Sequence, residues 1–139
     1  MISNRSIPQV TVIPVLPYPN LGEAIDWLTA AFGFTLRLRI ADHRAQMNVG
    51  TGGAVVLTHN PRYVAGQPTG QSVMVCVPSV DAHHARAIAH EVRILAPPCD
   101  HPYGERQYTA ADLAGHIWTF SQSIADVDPR DWGGTPAEM

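Results

Sequence analysis

The stretch YGERQYTAADLAGHIWTFSQ, from Tyr103 to Gln122, carries the pattern that most strongly indicates the fold. Glu105 to Ala111 and His116 to Gln122 have the aromatic and alternating composition that is typical of β-strands. Asp112 to Gly115 lies between them and combines an aspartate with a glycine, which favours a tight turn. The stretch therefore predicts a β-hairpin.

A strand, a helix and a third extended segment precede this hairpin. Ser72 to Val77 is rich in β-branched residues, and Ser79 can cap a helix that runs to about Val92. Arg93 to Ala96 resumes an extended structure, which we expect the Pro97-Pro98 pair to break. Residues 71–123 are thus predicted to follow the order strand, helix, strand, strand, strand.

The same order is predicted for residues 9–60. Val10 to Leu16 has strand composition, although Pro14 implies an edge or a bulge there. Asn20 can cap a helix with apolar residues on one face, and Gly33 is placed to end it. The remaining predicted strands are Leu36 to Ile40, Arg44 to Val49 and Gly53 to Thr58.

Two pairs of landmarks indicate that this order is a duplication. Pro17 and Pro78 both stand between the first strand and the helix, and Gly53 and Gly115 both precede the last strand. The two spacings agree within one position, which indicates a repeated unit of about 60 residues. Residues 60–70 are rich in Pro, Gly, Gln and Thr and join the two halves. We therefore predict one domain over residues 1–139, with modules at 9–60 and 71–123 and a tail at 124–139.

Two βαβββ modules with this final hairpin resemble the vicinal oxygen chelate superfamily of glyoxalases, extradiol dioxygenases and bleomycin-resistance proteins. Asp112-Leu113-Ala114-Gly115-His116 is similar to the family's Asp-Pro-x-Gly-x turn, with departures at Leu113 and Ala114. The resemblance implies an α+β fold in which two βαβββ modules form an open eight-stranded mixed barrel around a ligand cleft. It also implies a homodimer, because the family covers its open sheet edges with a two-fold partner.

Composition excludes several function classes. The formal charge is −3 and no residue is Lys, so Schiff-base, pyridoxal-phosphate and P-loop chemistry are excluded. An acidic chain has no basic field for a phosphate backbone, so we expect no nucleic-acid partner. No apolar run approaches the ~18 residues of a membrane span, and Met1 to Val10 lacks a signal-peptide core. We expect a cytoplasmic protein without a membrane partner.

The alternation of side chains along the strands predicts which residues face the cleft. Val73, Val75 and Val77 suit the face packed against a helix, which leaves Met74 for the cleft. Trp118 and Phe120 are expected under the helix, which leaves Thr119 for the cleft. Ser72, Cys76, Ile117 and Ser121 share the faces of Met74 and Thr119.

The third strands add polar side chains. Arg44, Gln46 and Asn48 are predicted to face the cleft, and the spacing between Gly53 and Gly115 maps them onto Arg106, Tyr108 and Ala110. Arg37 and Arg39 either join them or extend into solvent from an exposed face. The predicted ligand-binding residues are Arg106, Tyr108, Gln46, Met74, Thr119 and Arg44. Their guanidinium and phenol groups suit a planar or aromatic ligand that bears an electron-rich acceptor.

The resemblance also implies where a metal would be bound. The family's ligand positions correspond to Thr11, Leu57, Ser72 and Thr119, and none of these is an imidazole or a carboxylate. We therefore expect no metal and no cofactor. An alternative is a site across the dimer interface, to which His101 and Glu105 would contribute.

Three functions remain open from the sequence. The first is a metal-free protein that binds a small organic ligand, as the bleomycin-resistance branch of the family does. The second is a metal-dependent lyase, isomerase or dioxygenase of the same superfamily. The third is a sensor or subunit with a vestigial pocket, since one scaffold carries all of these.

Overall fold

The computed structural model describes residues 2–64 and 70–137, which form two four-stranded sheets with one long helix each. The sheets have the orders β1-β4-β3-β2 and β5-β8-β7-β6. In each sheet the first strand runs parallel to the last, and the other neighbours are antiparallel. The predicted α+β fold of two βαβββ modules is confirmed. The first module contains β1 (Val15–Tyr18), α1 (Leu21–Phe32), β2 (Thr35–Ile40), β3 (Arg44–Val49) and β4 (Gly53–His59). The second contains β5 (Ser72–Cys76), α2 (Val80–Ala89), β6 (Arg93–His101), β7 (Glu105–Ala111) and β8 (Ile117–Ser123), followed by a 3-10 turn at Pro129–Trp132.

Both long helices begin at the predicted caps. The Asn20 side chain accepts a hydrogen bond from the Glu23 backbone N–H at 2.9 Å, and Gly33 ends α1 with φ of +76°. The Ser79 side chain accepts one from the Ala82 backbone N–H at 3.1 Å. The second helix ends at Ala89, earlier than the predicted Val92, because the chain turns there to place Val92 in the core.

Two strand predictions at proline residues were wrong. The first strand begins at Val15 rather than Val10, and Pro14 contributes only a carbonyl oxygen, which accepts from the Val56 N–H at 2.9 Å. The sixth strand continues through Pro97-Pro98 to His101 instead of breaking there. It is an edge strand with irregular register around the prolines, so their missing N–H groups interrupt no ladder.

The two modules share one hydrophobic core. Phe32 at the end of α1 packs against Trp118 and Phe120 of β8, with ring centroids 6.0 and 4.9 Å apart. The Arg86 side chain of α2 donates to the carbonyl oxygens of Thr29 and Ala30, at 3.1 and 2.9 Å. These are carbonyls of the last turn of α1, and the Thr29 oxygen also accepts from the Gly33 N–H at 3.2 Å, so α2 adds donors at the end of the helix where carbonyl groups are least satisfied.

The predicted turn from Asp112 to Gly115 joins β7 and β8 and also connects the modules. The Asp112 carboxylate is buried; one oxygen accepts from the backbone N–H groups of Ala114 and His116, both at 3.0 Å. Its other oxygen accepts from the Tyr18 hydroxyl of β1 at 2.6 Å and from the Trp118 indole at 3.0 Å. Four donors on two modules therefore depend on one carboxylate. In the parts of the chain that the structure describes, no helix is long and apolar enough to cross a membrane.

Candidate ligand-binding site

Each sheet has one face covered by helices and one face that is not, which we call its open face. On the second sheet, Met74 lies in register with Thr119, which lies in register with Thr109. Residues in register across neighbouring strands point to the same side, so these three share the open face. The other open-face residues of β5, β7 and β8 are Ser72, Cys76, Glu105, Gln107, Ala111, Ile117, Ser121 and Ser123.

Polar groups on this open face are organised by hydrogen bonds. The hydroxyls of Thr109 and Thr119 lie 2.9 Å apart. The Glu105 carboxylate accepts from the Ser121 hydroxyl at 2.5 Å and from the Gln107 amide at 3.1 Å. Beside this network the Met74 side chain is 59% exposed. The face thus offers fixed polar groups next to an adaptable thioether.

A crevice of about 430 Å³ adjoins the open face along the free edge of β5. Val12 and Pro14 line one side, and residues 73–76 of β5 line the other. Residues 49–55 close one end, and they include the predicted hairpin turn Gly50-Thr51-Gly52-Gly53. Such a volume lies within the range of small-molecule sites, ~300 to 1,000 Å³.

The open face of the first sheet carries the predicted residues of β3. Gln46 is in register with Val56, and Arg44 is in register with Thr58, while Ala45 and Met47 are fully buried in the core. Arg44, Gln46 and Asn48 therefore lie on the face opposite the core, and their contact with a ligand stays a prediction. Arg37 joins this face and Arg39 does not: Arg37 Nη1 donates to Gln46 Oε1 at 2.5 Å, whereas Arg39 bonds the Ala41 carbonyl and the Asp42 carboxylate.

The prediction that Arg106 and Tyr108 face the cleft was wrong. Tyr108 lies in register with Phe120, is 1% exposed and packs beneath α2. Arg106 is on the same side of β7 and donates to Asp81 of α2 at 3.0 Å and to Asp100 of β6 at 2.7 Å. Neither side chain can contribute to a site on the open face. The prediction of a ligand with an electron-rich acceptor relied on these guanidinium and phenol donors, and on the second sheet it loses that support.

The cause is a register error of one position, which exchanges the two faces of a strand. The buried residues Leu57 and Phe120 lie opposite Leu16 and Val75 and are therefore equivalent in the two modules. Their spacing exceeds that of Gly53 and Gly115 by one position. Pairing across the Asp112–Gly115 turn was the signal that could have found this. It places Tyr108 opposite Phe120, which the sequence already assigned to the covered face.

Tyr108 is buried on the face opposite the one predicted, and its burial changes its acid–base chemistry. The Tyr108 hydroxyl is hydrogen-bonded to His83 Nδ1, and the Nε2 of the same ring lies 3.2 Å from the Phe32 carbonyl oxygen. Burial raises the pKa of Tyr108, and burial lowers the pKa of His83 to about 4. The pair is therefore neutral at pH 7 and belongs to the contact between α2, β7 and the end of α1.

The positions implied for a family metal do not fit a metal ion. Leu57 is fully buried on the covered face, so the open-face positions next to it are Val56 and Thr58. The Thr119 hydroxyl is paired with Thr109, and Ser72 is a second neutral hydroxyl. Divalent transition metals are held by imidazole, carboxylate or thiolate ligands, and none of these positions supplies one. Within residues 2–64 and 70–137, no group of three or more His, Cys, Asp or Glu side chains is placed to hold one.

His101 and Glu105, the pair considered for a site between subunits, lie in register on β6 and β7. The His101 ring stacks on Tyr103 with centroids 5.0 Å apart, and the Glu105 carboxylate is held by Ser121 and Gln107. Both cysteines are free and exposed. Cys76 lies on the open face as predicted, opposite Ser121.

The chain is thus an α+β protein built from two βαβββ modules, which share one core and each leave one sheet face open. The family model of the Glyoxalase/Bleomycin resistance protein/Dioxygenase superfamily matches residues 7–120, and the chain belongs to this superfamily. The crystal structure of TioX from Micromonospora sp. ML1 is similar over 85% of this chain and 99% of that chain, with 32% identity and a TM-score of 0.68.

Two further solved structures show the likeness in fold alone. A glyoxalase/bleomycin resistance protein/dioxygenase from Nocardioides is 24% identical over 100% of this chain and 92% of that chain, with a TM-score of 0.62. A lactoylglutathione lyase from Agrobacterium tumefaciens is 16% identical over 91% of this chain and 98% of that chain, with a TM-score of 0.62. A search of curated protein sequences gives no match.

Proposed function

We propose that this protein binds a small organic molecule without a catalytic metal, on the open face of the second sheet and in the adjoining crevice. The observation that carries the proposal is the exposed Met74 beside the Thr109–Thr119 pair, next to about 430 Å³ of mostly apolar space. Binding sites for small molecules combine an apolar wall with a few fixed polar groups in this way. The side chains of this open face favour a function in ligand binding over metal-dependent catalysis.

The proposal includes a homodimer in the cytoplasm, with the cleft shared between subunits. Exposed apolar side chains lie on both open faces: Val15 and Ile40 on the first, Met74 and Ile117 on the second. The charges are complementary, because Arg37 and Arg44 lie on the first open face and Glu105 on the second. A two-fold axis would bring the first face of one subunit against the second face of the other.

The dimer proposal is tested by light scattering at micromolar concentration. We expect twice the mass of the chain for the unmodified protein, and a shift toward monomer when Met74→Arg places a charge on the open face. Asp26→Arg, on the exposed side of α1, is the control and should leave the mass unchanged. A monomeric mass for the unmodified protein contradicts the proposal.

The ligand site is tested with planar aromatic probes: salicylate, 1-naphthoate and 8-anilinonaphthalene-1-sulfonate, titrated by calorimetry. For a probe that binds, we expect Met74→Ala, which removes an apolar wall, or Thr119→Val, which removes a fixed hydroxyl, to weaken binding about tenfold. Arg106→Met, on the covered face of the same sheet, is the matched control and should leave affinity unchanged. Loss of affinity in the Arg106 variant alone would refute the assignment.

The metal-dependent alternative is an outcome of a separate measurement. Protein purified without a His tag is dialysed against Ni²⁺, Zn²⁺, Mn²⁺ and Fe²⁺ and analysed for retained metal. We expect well below one equivalent per chain, because neutral hydroxyls are weak ligands for these ions. One equivalent, coupled to turnover of a glutathione hemithioacetal or a catechol, would establish an enzyme instead.

A further inference from the structure

The first residues of the chain lie across the open face of the first sheet. Residues 2–13, which we call the strap, form no strand or helix. Three consecutive strap carbonyls accept hydrogen bonds from the sheet. Gln46 Nε2 donates to the Ser6 oxygen at 2.8 Å, and Arg37 Nη2 donates to the oxygens of Arg5 and Ile7 at 3.1 and 3.2 Å. All three bonds go to main-chain oxygens, and Pro8 is the strap residue that is buried.

The two donor side chains orient each other. Arg37 Nη1 donates to Gln46 Oε1, which occupies the acceptor end of the amide and leaves its N–H₂ end for the strap. Gln46 is only 5% exposed with the strap in place, so a group that displaces the strap must accept from this amide to match the hydrogen bond that is lost. Water can accept from the amide when the strap leaves, but a ligand that excludes this water must supply an acceptor of its own.

We propose that Arg37 and Gln46 form a binding site for the amide backbone of a peptide-like ligand, and that the strap occupies this site until such a ligand displaces it. The inference rests on the proposed function, because it takes the first open face as one wall of the ligand cleft. A simple carboxylate is a poorer match. Its two oxygens belong to one small group, whereas the donors here serve three separate neutral carbonyls.

A peptide with the sequence of the strap is used as the probe. A chain that begins with Met followed directly by Val10 is titrated, by fluorescence anisotropy, with a labelled peptide of residues 2–10. We expect at least tenfold tighter binding than to the full-length protein, in which the tethered strap competes at an effective concentration on the order of millimolar. In the shortened chain, Arg37→Met should weaken binding at least tenfold. Arg39→Met, two residues away on the covered face, is the matched control and should have no effect. Equal affinity in the two variants overturns the proposal.

Ligand class is tested with altered peptides. A peptide with permuted side chains and Pro8 kept in place should bind within about threefold of the original, since the contacts are to carbonyls. Replacing the carbonyls of Arg5 and Ser6 by methylene groups should abolish binding, and benzoate should not compete. Binding that requires the original side chains, or that survives loss of the carbonyls, overturns the assignment.

Two further measurements keep the outcome decisive. If the shortened chain does not unfold cooperatively on heating, the full-length protein is used instead. An acetylated peptide of residues 2–10 is added in excess, and hydrogen exchange of the strap amides is followed. Faster exchange supports displacement, and unchanged exchange overturns it. Met74-dependent binding of the aromatic probes is measured in the same samples. If aromatic-probe binding persists while peptide binding fails, only the strap inference is wrong. If peptide binding persists while Met74-dependent binding of the aromatic probes fails, the aromatic site of the proposed function is rejected.

Discussion

Replacing Asp112 with Ala should lower the free energy of unfolding by about 4 kcal/mol, because it leaves four buried donors without their acceptor. These donors are two backbone N–H groups of the β7–β8 turn, the Tyr18 hydroxyl and the Trp118 indole. A domain of this size is stable by only ~5 to 15 kcal/mol, so the loss is a large fraction of the total. We expect a melting temperature roughly 15 °C lower.

Chemical denaturation with urea measures this change, and the control is Asp26→Ala. Asp26 is an exposed carboxylate on α1, so its loss should change stability by less than about 0.5 kcal/mol. A similar small effect for Asp112→Ala would show that water or a rearranged turn replaces the carboxylate. The carboxylate would then not be the connection between the modules.

A double-mutant cycle identifies the contact between modules. Tyr18→Phe alone removes one donor to a charged acceptor and should cost about 2 kcal/mol. In the Asp112→Ala background the same change should cost much less, because the Tyr18 hydroxyl has already lost its partner. Additive effects would contradict a direct contribution of the 2.6 Å hydrogen bond.

The sequence predicted those features that depend on residues close together in the chain. Asn20 and Ser79 cap their helices because capping needs only the next three residues. The alternation of side chains along β5 and β8 is also a local pattern, and it correctly predicted that Met74 and Thr119 share a face. The fold class followed because these local signals occur twice in the same order.

Features that depend on pairing between distant segments were not predicted correctly. The spacing between Gly53 and Gly115 puts Tyr108 on the wrong face, because the face of Tyr108 is set by its pairing with Phe120. The first strand was predicted to begin at Val10 because β-branched composition does not reveal which residues find a partner strand. Arg37 and the strap carbonyl of Arg5 are far apart in the chain, and nothing local indicates that contact.

The open faces and the covered core have different sensitivities to substitution. Substitutions at Met74 or Arg37 should change binding or assembly and leave the core intact, because these side chains point away from the helices. Substitutions at Tyr108 or Arg106 should act on the packing of α2 and leave the proposed ligand face unchanged. Variants on the two faces of one sheet can therefore be used to separate binding from stability.

A partly buried histidine on α2, His83, should make the protein less stable in mild acid. His83 Nε2 faces the Phe32 carbonyl oxygen, so this nitrogen carries the proton and Nδ1 accepts from the Tyr108 hydroxyl. The neutral ring thus satisfies both neighbours. Burial, together with nearby Arg86, lowers the pKa of His83 to about 4, from about 6.5 in an unfolded chain.

The direction of the effect follows from proton binding. Between pH 6.5 and 4 the unfolded chain binds a proton at this ring more readily than the folded chain does, so acid favours unfolding. The stabilisation is complete above about pH 6.5 and falls as the pH decreases toward 4. Because the ring is only partly buried and solvent screens it, we expect a loss of about 2 kcal/mol between pH 7.5 and 4.5.

Urea titrations at pH 7.5 and 4.5 measure this loss, and His83→Gln should remove most of it. The glutamine amide can still donate to the Phe32 oxygen and accept from Tyr108, but it does not titrate. His43→Gln, at an exposed turn, is the matched control and should keep the full pH dependence. If His83→Gln loses as much stability in acid as the unmodified protein, another group is responsible for the acid sensitivity. If it loses little, the contact of α2 with Tyr108 and the end of α1 is what mild acid weakens first.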